Sequence, residues 1–211
     1  MFHHEAGTPV ALIASVLRHL RRSADLDDEH RQMVGSALRQ IDLLERLLDQ
    51  VRTADEEHLR LGFEAVDLVE VVGELIDDLR DTVLREHPCA LHSPHGPVTV
   101  EVDPVRLRQL LTNLLENAAQ FSGAGKQIEV EVRQDDRQAV LWVTDQGSGI
   151  AEPDLERIFE RYERATDEGE GLGLGLYVVW RIVDAHGGDV EALPAPDGPG
   201  TRFVVRLPVR H

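Results

Sequence analysis

GEGLGLGL, residues 169–176, places glycine at every second position just before an apolar, helix-patterned run, LGLYVVWRIVDAH (174–186). Glycines let backbone N–H groups approach a ligand closely, and a helix N-terminus adds partial positive charge, so the two together can hold phosphates without a lysine. On this stretch alone a flexible loop remains the lesser alternative. Two common glycine loops are excluded. A dinucleotide fold needs a hydrophobic strand ahead of the glycines, and ATDEGE (165–170) is not one. A Walker-type loop needs Gly-Lys-Ser/Thr, but the only lysine, Lys126, sits in GAGKQ (123–127). The rest of the chain has to say which fold carries the loop.

Its 211 residues suffice for one large domain or two small ones with a real core. Hydrophobic residues at 42% and charged residues at 29% indicate a soluble globular chain. The longest apolar run, Val10 to Leu17, is far shorter than the roughly 18 residues needed to span a bilayer, and nothing ahead of it reads as a signal peptide. A formal net charge of -17 repels phosphate backbones, so no nucleic-acid partner is expected, and an anionic ligand has to be held by local devices. Cys89 is the single cysteine, which excludes an internal disulfide and points to a reducing, cytoplasmic compartment.

Val10, Ile13, Leu17 and Leu20 fall at helical spacing, and from about Asp28 a longer stripe follows: Val34, Leu38, Ile41, Leu44, Leu48 and Val51. Two such helices joined by a polar turn form a hairpin with little to bury its stripes against, so pairing with a second copy as a four-helix bundle is expected. Beyond about residues 54–60 the pattern changes. LGFEAVDL alternates as a strand, VEVVGELIDDLRDTVL (69–84) reads as a helix, VTVEV as a strand, and DPVRLRQLLTNLLENAAQF as a helix opened by Asp-Pro. IEVEVRQDDRQAVLWVTD reads as a strand hairpin, and DVEAL and TRFVVRLP close the chain as two strands. This order predicts an α+β fold: residues 1–57 a dimerising helical hairpin, residues 58–211 an α/β sandwich with one sheet covered by helices.

Two further stretches carry polar groups with chemical potential. In VTDQGSGI (143–150), Asp145 ends an apolar strand, where its carboxylate can accept from an exocyclic amine such as adenine's, and Gly147 and Gly149 turn the chain without side chains in the way. An ordinary Asp turn is the plainer reading of that stretch. In TNLLENAA (112–119), Asn113 and Asn117 share one helical face, although asparagine is a poor helix former. Their amide oxygens are hard donors suited to Mg²⁺. The opening HHEAGTP (3–9) is ambiguous by itself, since Thr8-Pro9 also reads as a helix cap followed by a first helical position.

In order and spacing these stretches resemble the catalytic core of sensor histidine kinases over nearly the whole chain. HHEAGTP resembles the H-box, TNLLENAA the N-box, DQGSGI the D-x-G-x-G box, RIFERYER (157–164) the F-box and GLGLGL the second glycine box, while GPGTRFVVRLP (198–208) is similar to the last glycine-threonine segment of the GHKL ATP-binding fold. The resemblance implies that His4 is the phosphoacceptor, with His3 a solvated neighbour. It implies that Glu5 orients the imidazole, and that Thr8 positions water when the partner is dephosphorylated. Asn113 and Asn117 would hold Mg²⁺ against ATP, Asp145 would read adenine, and Gly147, Gly149 and Thr201 would line its pocket. The loop from about Ala151 to Glu170 would be a lid whose Arg164 approaches the γ-phosphate, and Gly171, Gly173 and Gly175 would frame the phosphates. The implied partners are a second copy of the chain and the receiver domain of a response regulator. This stretch itself makes no membrane contact, and the resemblance implies a longer, membrane-anchored sensor of which it is the cytoplasmic part.

Three departures bear on rate. Gln120 stands where many relatives have a lysine, the lid is acidic at Asp167, Glu168 and Glu170, and Gly7 weakens the first helix by roughly 1 kcal/mol relative to alanine. The remaining histidines, His186 among them, show no ligand-like pattern. Two rival readings stay open: another GHKL-type ATPase, which would lack the His-Glu-x-x-Thr hairpin, and a catalytically weak dimerisation, regulator-docking and phosphatase module.

Overall fold

The computed structural model describes residues 2–21, 26–56, 58–135, 137–163 and 172–209, with residues 2–9 and 11 described by backbone alone. Among the described residues the chain forms five α-helices and seven strands, and it divides into two compact units, Met1–Glu56 and Glu57–His211.

The first unit is a hairpin of α1 (Phe2–Arg21) and α2 (Asp28–Asp55). Asp27 caps α2 by accepting the His30 N–H at 2.8 Å, and Asp28 and Glu29 follow where the helix dipole favours negative charge. The helices pack through Ala14 and Leu38, both buried, while Arg18 reaches Asp42 at 3.4 Å on the surface. Apolar surface is nevertheless left outside: Ile13, Leu20 and Leu44 of the expected stripes are exposed, as are Leu12, Val16 and Met33 beside them. Helix α1 starts well ahead of Pro9 and runs through it, so Thr8 does not cap a helix beginning at Pro9. A proline removes one backbone donor, and the single lost bond does not end this helix.

The second unit contains β1 (Glu64–Asp67), α3 (Leu68–Leu79), β2 (Cys89–His92), β3 (Thr99–Val102), α4 (Pro104–Phe121), β4 (Ile128–Asp135), β5 (Gln138–Thr144), α5 (Gly175–Ala185), β6 (Asp189–Pro194) and β7 (Thr201–Pro208). Two 3-10 turns, Glu152–Asp154 and Arg157–Phe159, lie between β5 and α5. The strands form a five-stranded sheet in the order β2-β4-β5-β7-β6, parallel only at β2–β4, beside an antiparallel β1–β3 ribbon.

Register explains why helices cover one face. Val130, Val143, Phe203 and Ala192 are successive cross-strand partners, and all four are buried. One residue along, Glu131, Trp142, Val204 and Glu191 form the next row, and its charged ends are only partly covered. Period-two alternation therefore gives the sheet a core face and a wetter face. Against the core face lie Leu107, Leu110, Leu111, Leu114 and Leu115 of α4 and Val178, Val179, Ile182 and Val183 of α5, each nearly inaccessible to solvent. The helix expected to run to Leu84 stops at Leu79. Bonds from the Thr82 and Leu84 N–H groups to the Leu79 carbonyl (3.1 and 2.9 Å) turn the chain back and bury Leu84, which a straight helix would not have done.

Candidate nucleotide-binding site

Asp145 follows β5 directly and is 3% exposed. Its Oδ1 accepts the N–H of Gly147 at 2.8 Å and of Thr201 at 3.1 Å, while its own N–H donates to the Thr201 carbonyl at 2.9 Å. Burial raises the carboxyl's pKa above the ordinary value, and the two backbone N–H groups only partly offset that. Because both side-chain bonds converge on Oδ1, Oδ2 keeps its lone pairs for a ligand.

The walls around this carboxylate have to be glycine. A Cβ on Gly147 would lie 2.4 Å from the Phe121 carbonyl oxygen at the end of α4, and one on Gly200 would lie 2.2 Å from the Asp145 carbonyl oxygen. Gly200 also has φ 142°, a conformation closed to ordinary side chains. Ser122, where α4 ends, bridges to Gly147, and its hydroxyl accepts the Gln146 N–H at 3.4 Å. The structure thus brings Asp145, Gly147 and Thr201 together with two residues not singled out from the sequence, Ser122 and Gly200. Gly149 belongs to the same turn, packed against Gly200.

Asn113 and Asn117 project from α4, the first buried and the second half-buried. The Asn117 side chain makes no hydrogen bond among the described residues, so its amide is available to a ligand. Two amide oxygens without a carboxylate suit a hard cation that brings its own waters and phosphates better than a protein-caged metal. Among the described residues there is no group of three or more His, Cys, Asp or Glu that could hold an ion by itself.

Helix α5 begins at Gly175 after Leu174, whose side chain cannot cap it, so its first N–H groups have no side-chain acceptor. Gly173 has φ 66°, and a Cβ there would come within 2.9 Å of the Tyr162 backbone. The Tyr162 N–H donates to the Gly173 carbonyl at 3.1 Å, tying a point within the expected lid to the glycine just beyond its end. Ahead of it, Ile158 is buried and Phe159 meets Phe203 edge-on at 6.3 Å, which anchors the incoming strand of the lid on the core. Arg164 and Gly171 lie outside the described residues. His4, Glu5 and Thr8 sit on the backbone of α1, with their side chains outside the described residues. No helix among the described residues is long and apolar enough to cross a membrane.

A buried carboxylate with one free oxygen, walls of glycine and an open helix N-terminus suit a purine ring and a polyphosphate. Comparison with known proteins agrees. The family model described as histidine kinase-, DNA gyrase B-, and HSP90-like ATPase matches residues 102–211, just over half of the chain. Sensor histidine kinase ZraS of Escherichia coli O157:H7 is 32% identical over 208 residues, covering 98% of this chain and 44% of that protein. A mycobacterial sensor histidine kinase, MprB, superposes with a TM-score of 0.63 at 33% identity, covering 71% of this chain and 99% of the other. Full-length ShkA, solved in complex with AMPPNP, superposes with a TM-score of 0.78 at 26% identity, covering 98% of this chain and 44% of that one. The chain spans less than half the length of the curated relatives it matches. It belongs to the histidine kinase-, DNA gyrase B-, and HSP90-like ATPase family and, within it, is a sensor histidine kinase catalytic core.

Proposed function

We propose that this core binds Mg-ATP in its second unit, transfers the γ-phosphoryl group to His4 in its first, and passes it from there to an aspartate on the receiver domain of a cytoplasmic response regulator. The observation that carries the reading is the buried Asp145 carboxylate, which sits among Gly147 and Gly200, takes both backbone bonds on Oδ1 and leaves Oδ2 to match an exocyclic amine donor. That ShkA was solved in complex with AMPPNP supports nucleotide binding by this fold. Asn113 and Asn117 would hold a magnesium ion, which would supply positive charge against the phosphates. The open N-terminus of α5, with Gly171, Gly173 and Gly175, orients the phosphates by backbone N–H groups, and Arg164 approaches the γ-phosphate from the lid. Gly149 and Thr201 complete the adenine pocket.

In the transfer step the imidazole of His4 attacks the γ-phosphorus, the bond to the bridging oxygen breaks, and ADP leaves. Glu5 holds the ring in the tautomer whose far nitrogen is the nucleophile. Dephosphorylation of the regulator is a second activity of the same hairpin, with Thr8 orienting water. The exposed apolar stripe on α1 and α2 favours a homodimer in which two hairpins close a four-helix bundle.

The test is incubation of the chain with γ-labelled ATP and Mg²⁺. Acid-labile, base-stable label is expected on the wild type and none on His4→Gln. Label that persists in His4→Gln removes the acceptor assignment. Absence of measurable nucleotide binding at millimolar ATP would favour the docking and phosphatase module.

A further inference from the structure

Among the described residues of the second unit, His186 is the one histidine that is both fully enclosed and bonded across the fold. It is 3% exposed, and its ring meets Phe63 edge-on at 5.5 Å. Its Nε2 lies 3.0 Å from the backbone nitrogen of Asp103, a residue 83 positions away, and its Nδ1 lies 2.7 Å from the Ile182 carbonyl oxygen. A backbone N–H can only donate, so Nε2 must be the bare acceptor. The ring proton is then on Nδ1, which donates to Ile182.

The two residues joined in this way are the end of one helix and the start of another. His186 is the C-cap of α5, with its own N–H directed at the Ile182 and Val183 carbonyls. Asp103 is the N-cap of α4: its Oδ1 accepts from Val105 and Arg106, both at 3.0 Å, and its Oδ2 accepts from Gly62 at 2.9 Å. Burial works against the Asp103 carboxylate, but the Gly62, Arg106 and Val105 N–H groups outweigh it and hold its pKa below the ordinary value. A charged, fully engaged cap is a rigid anchor point.

Since the end of α5 meets the start of α4 and the helices pack together, they run antiparallel. At a rise of about 1.5 Å per residue, Asn113 lies roughly 15 Å along α4 from Asp103, and Gly175 roughly 16 Å back along α5 from His186. The brace at one end therefore puts Asn113 level with the first turn of α5 at the other. A slide of one helix past the other would separate the amides from the phosphate-facing N–H groups.

We infer that His186 is a positioning residue: by accepting the Asp103 N–H it sets the register of α4 against α5, so that the Asn113/Asn117 face and the α5 N-terminus engage the same nucleotide. This rests on the ATP-binding reading above. It does not follow from the overall burial of the ring, because an apolar side chain of similar size would fill the space without fixing the register.

The experiment compares the full chain carrying His186→Gln, which can still present an acceptor near the Nε2 position, with His186→Leu, which fills the space without one. Dissociation constants for Mg-ATP are measured well below the unfolding temperature of each variant. His186→Leu is expected to bind about tenfold more weakly, with faster exchange of the Asp103 amide, and His186→Gln within about threefold of wild type. A folded His186→Leu with wild-type affinity overturns the positioning role while leaving the ATP reading intact. A wild type that fails to bind nucleotide overturns both. Should His186→Leu not fold, nitrogen NMR of the wild-type imidazole still decides: the Nδ1–H tautomer is required, and an Nε2–H tautomer or an imidazolium at neutral pH overturns the brace.

Discussion

The two units are both built with amphipathic helices and end in opposite conditions. In the second unit, Leu107, Leu110, Leu114, Val178 and Ile182 are at most 2% exposed, because a sheet lies beneath them. In the first, Leu12 is 66% exposed, Ile13 53% and Val16 52%, because two helices alone cannot cover their own stripes. A helix-on-sheet layer closes its core within one chain, whereas a helical hairpin closes it only with more helices. The second unit thus closes its core within one chain, and the half carrying His4 keeps apolar surface that the proposed dimer would cover.

The strongest way to break this contrast is to spoil the exposed stripe. Val16→Asp places a carboxylate in the centre of the proposed bundle, once per copy, where desolvation without a partner costs several kcal/mol. The dimer dissociation constant, measured by sedimentation of the full chain, is expected to rise on the order of a thousandfold or more. A variant that stays dimeric at wild-type affinity would move the interface off this stripe.

A smaller effect tests whether the second unit's site is separable from its stability. Asp145→Asn keeps an oxygen to accept from Gly147 and Thr201 but turns a donor towards the ligand in place of Oδ2. Nucleotide affinity is expected to fall roughly thirtyfold, corresponding to about 2 kcal/mol. The fold should be as stable as wild type or more so at neutral pH. Burial raises the folded pKa of Asp145, so ionising it disfavours the folded state. That penalty is present above the raised pKa and fades as pH falls through it, so the stability advantage of Asp145→Asn should shrink on acidification. Binding to the wild type should weaken over the same window, which lies above the ordinary carboxylate range. An asparagine variant that loses stability at neutral pH would show the carboxylate to be structural.

How far each unit could be read from sequence follows the same division. Period-two alternation located β4, β5 and β7, and the leucine spacing located α4, because local pattern and tertiary burial agree there. The end of α3 was misplaced, and of the two readings left open for HHEAGTP the helix start at Thr8-Pro9 does not hold. In the first case a turn that buries Leu84 outweighs continued helix, and in the second one missing donor at Pro9 is too small a loss to stop a helix. The cluster around Asp145 was legible only through the resemblance, since each motif alone is equally a common turn. Gly200, Ser122 and His186 were not legible as partners at all. Each is defined by a contact to a residue 24 to 83 positions away, from Ser122 to Gln146 and from His186 to Asp103, and no local spacing records such a contact. The histidine so placed looked idle because its partner is a backbone N–H, which leaves no mark in sequence.

The finest test uses Cys89 as a reporter of the second unit alone. Burial pushes its thiol up to about 11, with Arg80 opposing only weakly, so at neutral pH it carries roughly a few-hundredfold less thiolate than a free cysteine with a pKa near 8.5. Alkylation by iodoacetamide should be slow in the native chain and fast in denaturant, and the native rate then reads how often this part of the sheet opens. If the second unit closes its own core, Val16→Asp should leave the Cys89 labelling rate within about twofold of wild type even as the dimer falls apart, because the apolar contacts that shield the thiol remain buried. A rate that climbs towards the denatured value in Val16→Asp would mean that the nucleotide-binding fold leans on the hairpin. The difference in exposed stripes would then be a property of one cooperative structure.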